Sequence, residues 1–256
     1  MKMRLSLALV PVSFVLACPT EEEPPPPGIE PVCEEPTEPP CRDETLASID
    51  VNPTAVGEGA ITNTADGDGY ETHVDAVAGG MNGTGAYVYG RFTDDGLEKV
   101  EVTDDDSFGS MDWDIGVRRF VVRLNSGDGG PSCVGAANLG TSQGFDDVDG
   151  VPEGAEFQTE EFMNASCELV PDGSGLETAP GVLLQNFWDY TAENCLGMTG
   201  NVYIVQLASG RHLKLEVTQY YDPPEAQQAC QDGEYGDFSG TKESGNVHLR
   251  WAFLDG

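Results

Sequence analysis

Trp113-Asp114-Ile115-Gly116-Val117-Arg118-Arg119-Phe120-Val121-Val122-Arg123-Leu124-Asn125-Ser126-Gly127 is the stretch whose reading decides the fold. From Phe120 to Leu124 it is rich in β-branched and aromatic residues and stops at Asn-Ser-Gly, which predicts a buried strand running into a turn. Its arginines stand in a chain with only 12 Lys+Arg against 45 Asp+Glu. Guanidinium groups fixed among so many carboxylates are expected to pair with Asp or Glu, and ligand binding is the alternative.

The segments on either side share this character. Ala86 to Phe92 has β composition, Asp94-Asp95-Gly96 is a turn signal, and Leu97 to Val102 alternates apolar and charged residues, which together predict a β-hairpin. A second hairpin is predicted from Asn201–Leu207, the turn Ala208-Ser209-Gly210 and Leu213–Tyr221. The alternating run Val247–Phe253 would close the sheet. Helical periodicity is scarce, while 32 glycines separate short alternating runs, so the fold class is all-β, a sandwich or barrel-like arrangement. The roughly 210 residues from Thr45 onward suit one domain with a sizeable core.

In order, the YVYGRF-turn-LEKVEV hairpin, the WDIGVRRFVVRLNSG block, Trp188 with Tyr190, the VYIVQLASGRHLKLEVTQYY hairpin and the closing HLRWAF strand resemble the HmuY-like family of bacterial surface lipoproteins, several of which bind haem. The resemblance is clearest over residues 80–256. It implies a two-sheet antiparallel all-β domain over 46–256, displayed on or carried to the outer membrane. In haem-binding members the axial ligands, commonly histidines and sometimes methionines, come from two loops. The matching regions here are Glu160–Cys167 and Trp188–Met198, and neither contains a histidine. The resemblance therefore implies Met163 and Met198 as the soft ligands available to haem iron. It also implies facing loops, and so a Cys167–Cys195 disulfide that leaves Cys133 to pair with Cys230, although four cysteines by themselves permit three pairings.

The functional expectation is a haem-binding, haemophore-like surface lipoprotein of haem or iron acquisition, with an outer-membrane receptor or host protein as partner. The alternative is a non-haem, disulfide-stapled β-module that binds a protein, a glycan or Ca²⁺. Exposed aromatics in the pocket loops would favour the first, and a pocket filled by the disulfide would favour the second.

Residues 1–17 join Lys2 and Arg4 to an apolar run, Leu5 to Leu16, and end in Val15-Leu16-Ala17 before Cys18. This predicts a secretory signal, too short to span a bilayer, with a lipobox-like end that would make Cys18 the acylated N-terminus and the sole membrane attachment. Residues 18–45 are dominated by Glu and Pro and are expected to form a disordered, extended spacer. Removing the signal lowers the formal charge from −33 to −35, which excludes nucleic acid as a partner and favours cation binding.

With Cys18 set aside, six cysteines remain: Cys33 and Cys41 in the spacer, and Cys133, Cys167, Cys195 and Cys230 in the domain. An even count in an exported chain predicts disulfides, and the absence of Cys-x-x-Cys spacing argues against zinc. His73, His212 and His248 are the only histidines, and no catalytic motif surrounds them, so no enzyme and no metal centre is expected. The acidic turns at Asp66–Gly69, Asp104–Asp106 and Asp146–Gly150 could offer oxygen to Ca²⁺, but twelve positions into the first stands Val77 rather than a carboxylate.

Overall fold

The computed structural model describes residues 29–49, 51–77, 85–174 and 179–254. Residues 1–28, with the expected signal, Cys18 and the start of the expected spacer, lie outside the described residues.

The deciding stretch forms a hairpin of two short strands, β5 (Ile115–Arg118) and β6 (Val121–Leu124), joined through Arg119 at φ 53. Every residue of both strands is buried. The reason is that this sheet is covered on both faces, so its residues, Arg118 and Arg123 included, are buried without alternation. It pairs with the predicted hairpin of β3 (Val88–Thr93) and β4 (Gly96–Val100), giving the order β4-β3-β5-β6.

The larger antiparallel sheet runs β1-β2-β12-β11-β10-β7. Its strands are β1 (Ile61–Asp66), β2 (Gly69–Asp75), β7 (Gly135–Gly140), β10 (Val202–Gln206), β11 (His212–Asp222) and β12 (Glu243–Phe253). The expected second hairpin is β10–β11, and β12 closes the sheet between β11 and β2. Trp251 of β12 is almost fully buried, donates to Thr72 Oγ1 at 2.9 Å and meets Phe92 of the smaller sheet edge-on at 4.9 Å. Asn63 of β1 both donates to and accepts from the Leu97 backbone, at 3.1 and 3.0 Å, tying the sheets together along one edge. A two-stranded ribbon, β8 (Trp188–Tyr190) with β9 (Leu196–Met198), lies at one end of this core.

On its other face the smaller sheet buries a second cluster containing Tyr87, Tyr89, Phe108, Trp113 and Phe162. Part of its cover is the helix α1 (Arg42–Ser48), with Ile49 in the cluster and Leu46 against it. The spacer expected to run to residue 45 therefore ends earlier, because residues 29–45 are built into the fold. Val32 N donates to Ala208 O, Thr37 N donates to Pro131 O, and Cys33–Cys133 and Cys41–Cys167 disulfides pin the segment down. Gly210, at φ 84, sits where a Cβ would collide with the Glu30 backbone, so this turn is shaped to the segment crossing it. Glu and Pro composition removes the apolar surface a segment needs to dock, and two covalent staples supply the docking instead.

The third disulfide is Cys195–Cys230. Both expected domain pairings, Cys167–Cys195 and Cys133–Cys230, are thereby corrected. Cys133 and Cys167 are taken by the spacer cysteines, which leaves Cys195 for Cys230 on the helix α3 (Pro224–Gln231). The short helix α2 (Asp104–Ser107) completes the described helices of α type.

Candidate functional site

The β5–β6 turn, the ends of β8 and β11 and the segment after α3 enclose a cavity of about 520 Å³, within the usual range of small-molecule sites. Arg118, Arg119, Phe120 and Val121 line it from the turn, and Tyr190, Asn194 and Leu196 from the ribbon. Tyr220 and Tyr221 enter from β11, and Tyr235, Lys242 and Ser244 from the stretch leading to and into β12. Three of the chain's 12 lysines and arginines thus converge on one cavity, and no Asp or Glu lines it among the described residues. In a chain carrying 45 acidic residues that is a local reversal of sign, suited to a ligand with anionic groups.

Aromatic rings form much of the remaining wall: Phe120, Tyr190, Tyr220, Tyr221 and Tyr235. Tyr220 and Tyr221 meet edge-on at 4.9 Å, and Tyr221 and Tyr235 lie 5.0 Å apart. Tyr221 is held by Leu196 N donating to its hydroxyl at 3.1 Å, and Lys242 Nζ lies 4.3 Å from the centre of the Tyr235 ring. Burial pushes the phenol pKa of Tyr220, Tyr221 and Tyr235 upward, so these three remain neutral donors at physiological pH. Tyr190 differs: it is 54% exposed and its ring stands edge-on to Trp188 at 6.5 Å.

α3 sets the back of the site. Gln227 Oε1 accepts from the backbone of Tyr220 and Tyr221 at 3.0 and 3.3 Å while its Nε2 donates to Leu196 O at 3.0 Å. Gln231 Oε1 accepts from Met198 N at 2.7 Å and its Nε2 donates to Met198 O at 3.1 Å, so its amide continues the β8–β9 ladder. The buried Cys195–Cys230 bond locks this helix to the ribbon without filling the cavity.

The residues expected at the site divide. Met163 packs against the second cluster and Met198 against the main core, and neither lines the cavity. Arg123, expected to pair with a carboxylate, is fully buried among rings instead. Its guanidinium carbon lies 4.8–5.3 Å from the centroids of Tyr87, Tyr89, Phe108 and Trp113. It donates to the Tyr89 hydroxyl at 2.5 Å, to Ser107 Oγ at 3.2 Å and to Gly129 O. The acidic turns are likewise engaged within the fold. Asp66 and Asp146 converge on Arg250 at 2.9 and 2.8 Å, and buried Asp104 accepts from Asn52 N, Tyr87 N and the Tyr89 hydroxyl. Sequence reasoning singled out Tyr190 but missed Tyr220, Tyr221 and Tyr235 as its companions in the lining, since they join it only through tertiary packing.

A two-sheet antiparallel β domain with a cation-lined cavity is the class of protein defined so far. The HmuY profile, described as HmuY protein, matches residues 86–233, more than half of the chain, and the chain belongs to the HmuY family. Among solved structures it is similar to a Bacteroides vulgatus protein described as HmuY-like and haem-binding, at 17% identity and a TM-score of 0.45, covering 78% of this chain and 100% of that one. It is also similar to the apo HmuY analogue of Tannerella forsythia, at 14% identity and a TM-score of 0.38, covering 78% and 99%. No curated protein matches the chain.

Proposed function

We propose that this chain is a haem-binding surface lipoprotein of haem or iron acquisition, held at the bacterial outer membrane by lipid on Cys18, and that the cavity holds the haem. The observation that carries the reading is the lining: three cations, four tyrosines and no carboxylate among the described residues of a chain with a formal charge of −33. Haem is a flat apolar ring with two carboxylates, so it takes aromatic walls together with cations. The exposed aromatic Tyr190 and the unfilled space beside Cys195–Cys230 favour this reading over a stapled module without a ligand.

Arg118, Arg119 and Lys242 would face the propionates, and Tyr220, Tyr221 and Tyr235 would pack on the ring or donate to it. Haem would supply an iron that a tyrosine side chain could hold. Tyr190 is the residue suited to that role, since it lines the cavity and, at 54% exposure, its ring is open to an incoming ligand. Tyrosine thus replaces the methionine pair as the proposed ligand.

Haemin added to the purified protein and followed in the Soret region should bind one equivalent. Tyr190→Phe should change the spectrum and weaken binding, while the Met163→Ala, Met198→Ala double variant should bind like wild type. An absence of haemin binding would end the functional reading, and a spectrum altered only by the methionine changes would return the ligand role to that pair. Cys18→Ser should leave the protein out of the membrane fraction, and unchanged membrane attachment would contradict the lipid anchor.

A further inference from the structure

We propose that His73, His248 and Asp222 form a binding site for a first-row divalent metal ion, separate from the cavity. In the antiparallel pairing of β2 with β12, His73 stands directly opposite His248. Both are partly exposed and alternate with the inward-facing Val74, Val247 and Leu249, which places them together on the outer face of the large sheet. Their rings stack at 4.7 Å. β11 brings in the third member: Gln219 pairs with His248, and Asp222 at the strand end puts its Oδ1 3.3 Å from His248 Nε2. One ligand atom from each of the three residues lies within 4.8 Å of the other two.

The surroundings are those of an oriented ligand set. Asn246 Oδ1 accepts from His73 Nε2 at 3.0 Å, and the Asn246 amide is itself fixed by donating to Glu243 O at 3.2 Å. A ring N–H tied to an anchored carbonyl is how metal-binding imidazoles are commonly held, and it leaves the lone pair on the other ring nitrogen. Gln219 Nε2 donates to Asp222 Oδ1 at 2.5 Å and to Tyr221 O at 2.9 Å, which holds the carboxylate beside His248. Side chains of Asp222 and His248 are about one-third exposed, so an ion reaches them from solvent. Two imidazoles and a single carboxylate favour zinc and its first-row neighbours over the hard cations Ca²⁺ and Mg²⁺, and the strong negative charge of the chain raises the local cation concentration.

The chain has three histidines, so imidazole C–H resonances of the full protein can be assigned with His73→Gln, His212→Gln and His248→Gln. Zn²⁺ is the probe. One equivalent should shift or broaden the His73 and His248 signals, leave that of His212 in place, and resist excess Mg²⁺. His73→Gln and His248→Gln should each weaken zinc by about tenfold or more, whereas His212→Gln should not. If zinc leaves the His73 and His248 signals unmoved in the wild-type protein, or if Mg²⁺ displaces it, the site does not exist.

Discussion

Glu160 is fully buried beneath the second cluster, and its two oxygens accept from Leu124 N and Leu183 N, both at 2.8 Å. Burial pushes its pKa up to about 7 against these two bonds, which favour the charged form. Arg123, in its cage of rings, supplies the nearest compensating charge and acts on both Glu160 and Asp104. The folded protein therefore binds a proton at Glu160 more tightly than the unfolded chain, whose ordinary value is 4.5. Stability from this group is complete below pH 4.5 and is lost as pH rises through about 7, an effect on the order of 3 kcal/mol. Urea unfolding of wild type and Glu160→Gln across pH 5 to 8 should give curves that diverge in slope, wild type falling more steeply. Parallel curves would mean that Glu160 is already ionised in the fold at pH 5. Asp114, also buried and raised to about 6 by desolvation, slopes in the same sense in both proteins and cancels from the comparison.

At the scale of elements, the strands were legible because each obeys a local rule. Val88–Thr93 and Gly96–Val100 flank an Asp-Gly turn, and Val121–Leu124 is a β-branched-rich run ended by Asn-Ser-Gly. The cysteine pairing was not legible. The bonds Cys33–Cys133 and Cys41–Cys167 close separations of 100 and 126 residues, and nothing near either cysteine in sequence announces its partner. Composition concealed the docking of residues 29–45 for the same reason, since the staples hold a segment that has little apolar surface of its own. In the chain-entropy account a cross-link over 100 residues stabilises by about 4 to 5 kcal/mol. Cys33→Ser with Cys133→Ser should lower unfolding stability by about that amount, read from the denaturant midpoint. A loss below about 1 kcal/mol would show the N-terminal segment to be a passenger on the fold.

Over the whole molecule, charge is sorted rather than spread. Arg211 pairs with Asp94 at 2.6 Å, Arg250 bridges Asp66 and Asp146, and Arg42 reaches Asp105 at 2.5 Å, while Arg118, Arg119 and Lys242 line the cavity. Of that cavity, only Tyr190 and the arginine-bearing turn could be singled out in advance. Tyr220, Tyr221, Tyr235 and Lys242 join them through the packing of α3 and β12, a tertiary event without a local signature. His73 and His248 stayed hidden likewise, because they meet only across the β2–β12 pairing. Among the described residues no helix is long and apolar enough to cross a membrane. The central claim is that the cation-lined cavity is where haem binds, and charge reversal tests it most directly. Haemin affinity of an Arg119→Glu, Lys242→Glu variant, measured by Soret titration beside wild type after circular dichroism has established that both are folded, should be at least about tenfold weaker, or about 1.4 kcal/mol. Equal affinities in the two folded proteins would contradict the account.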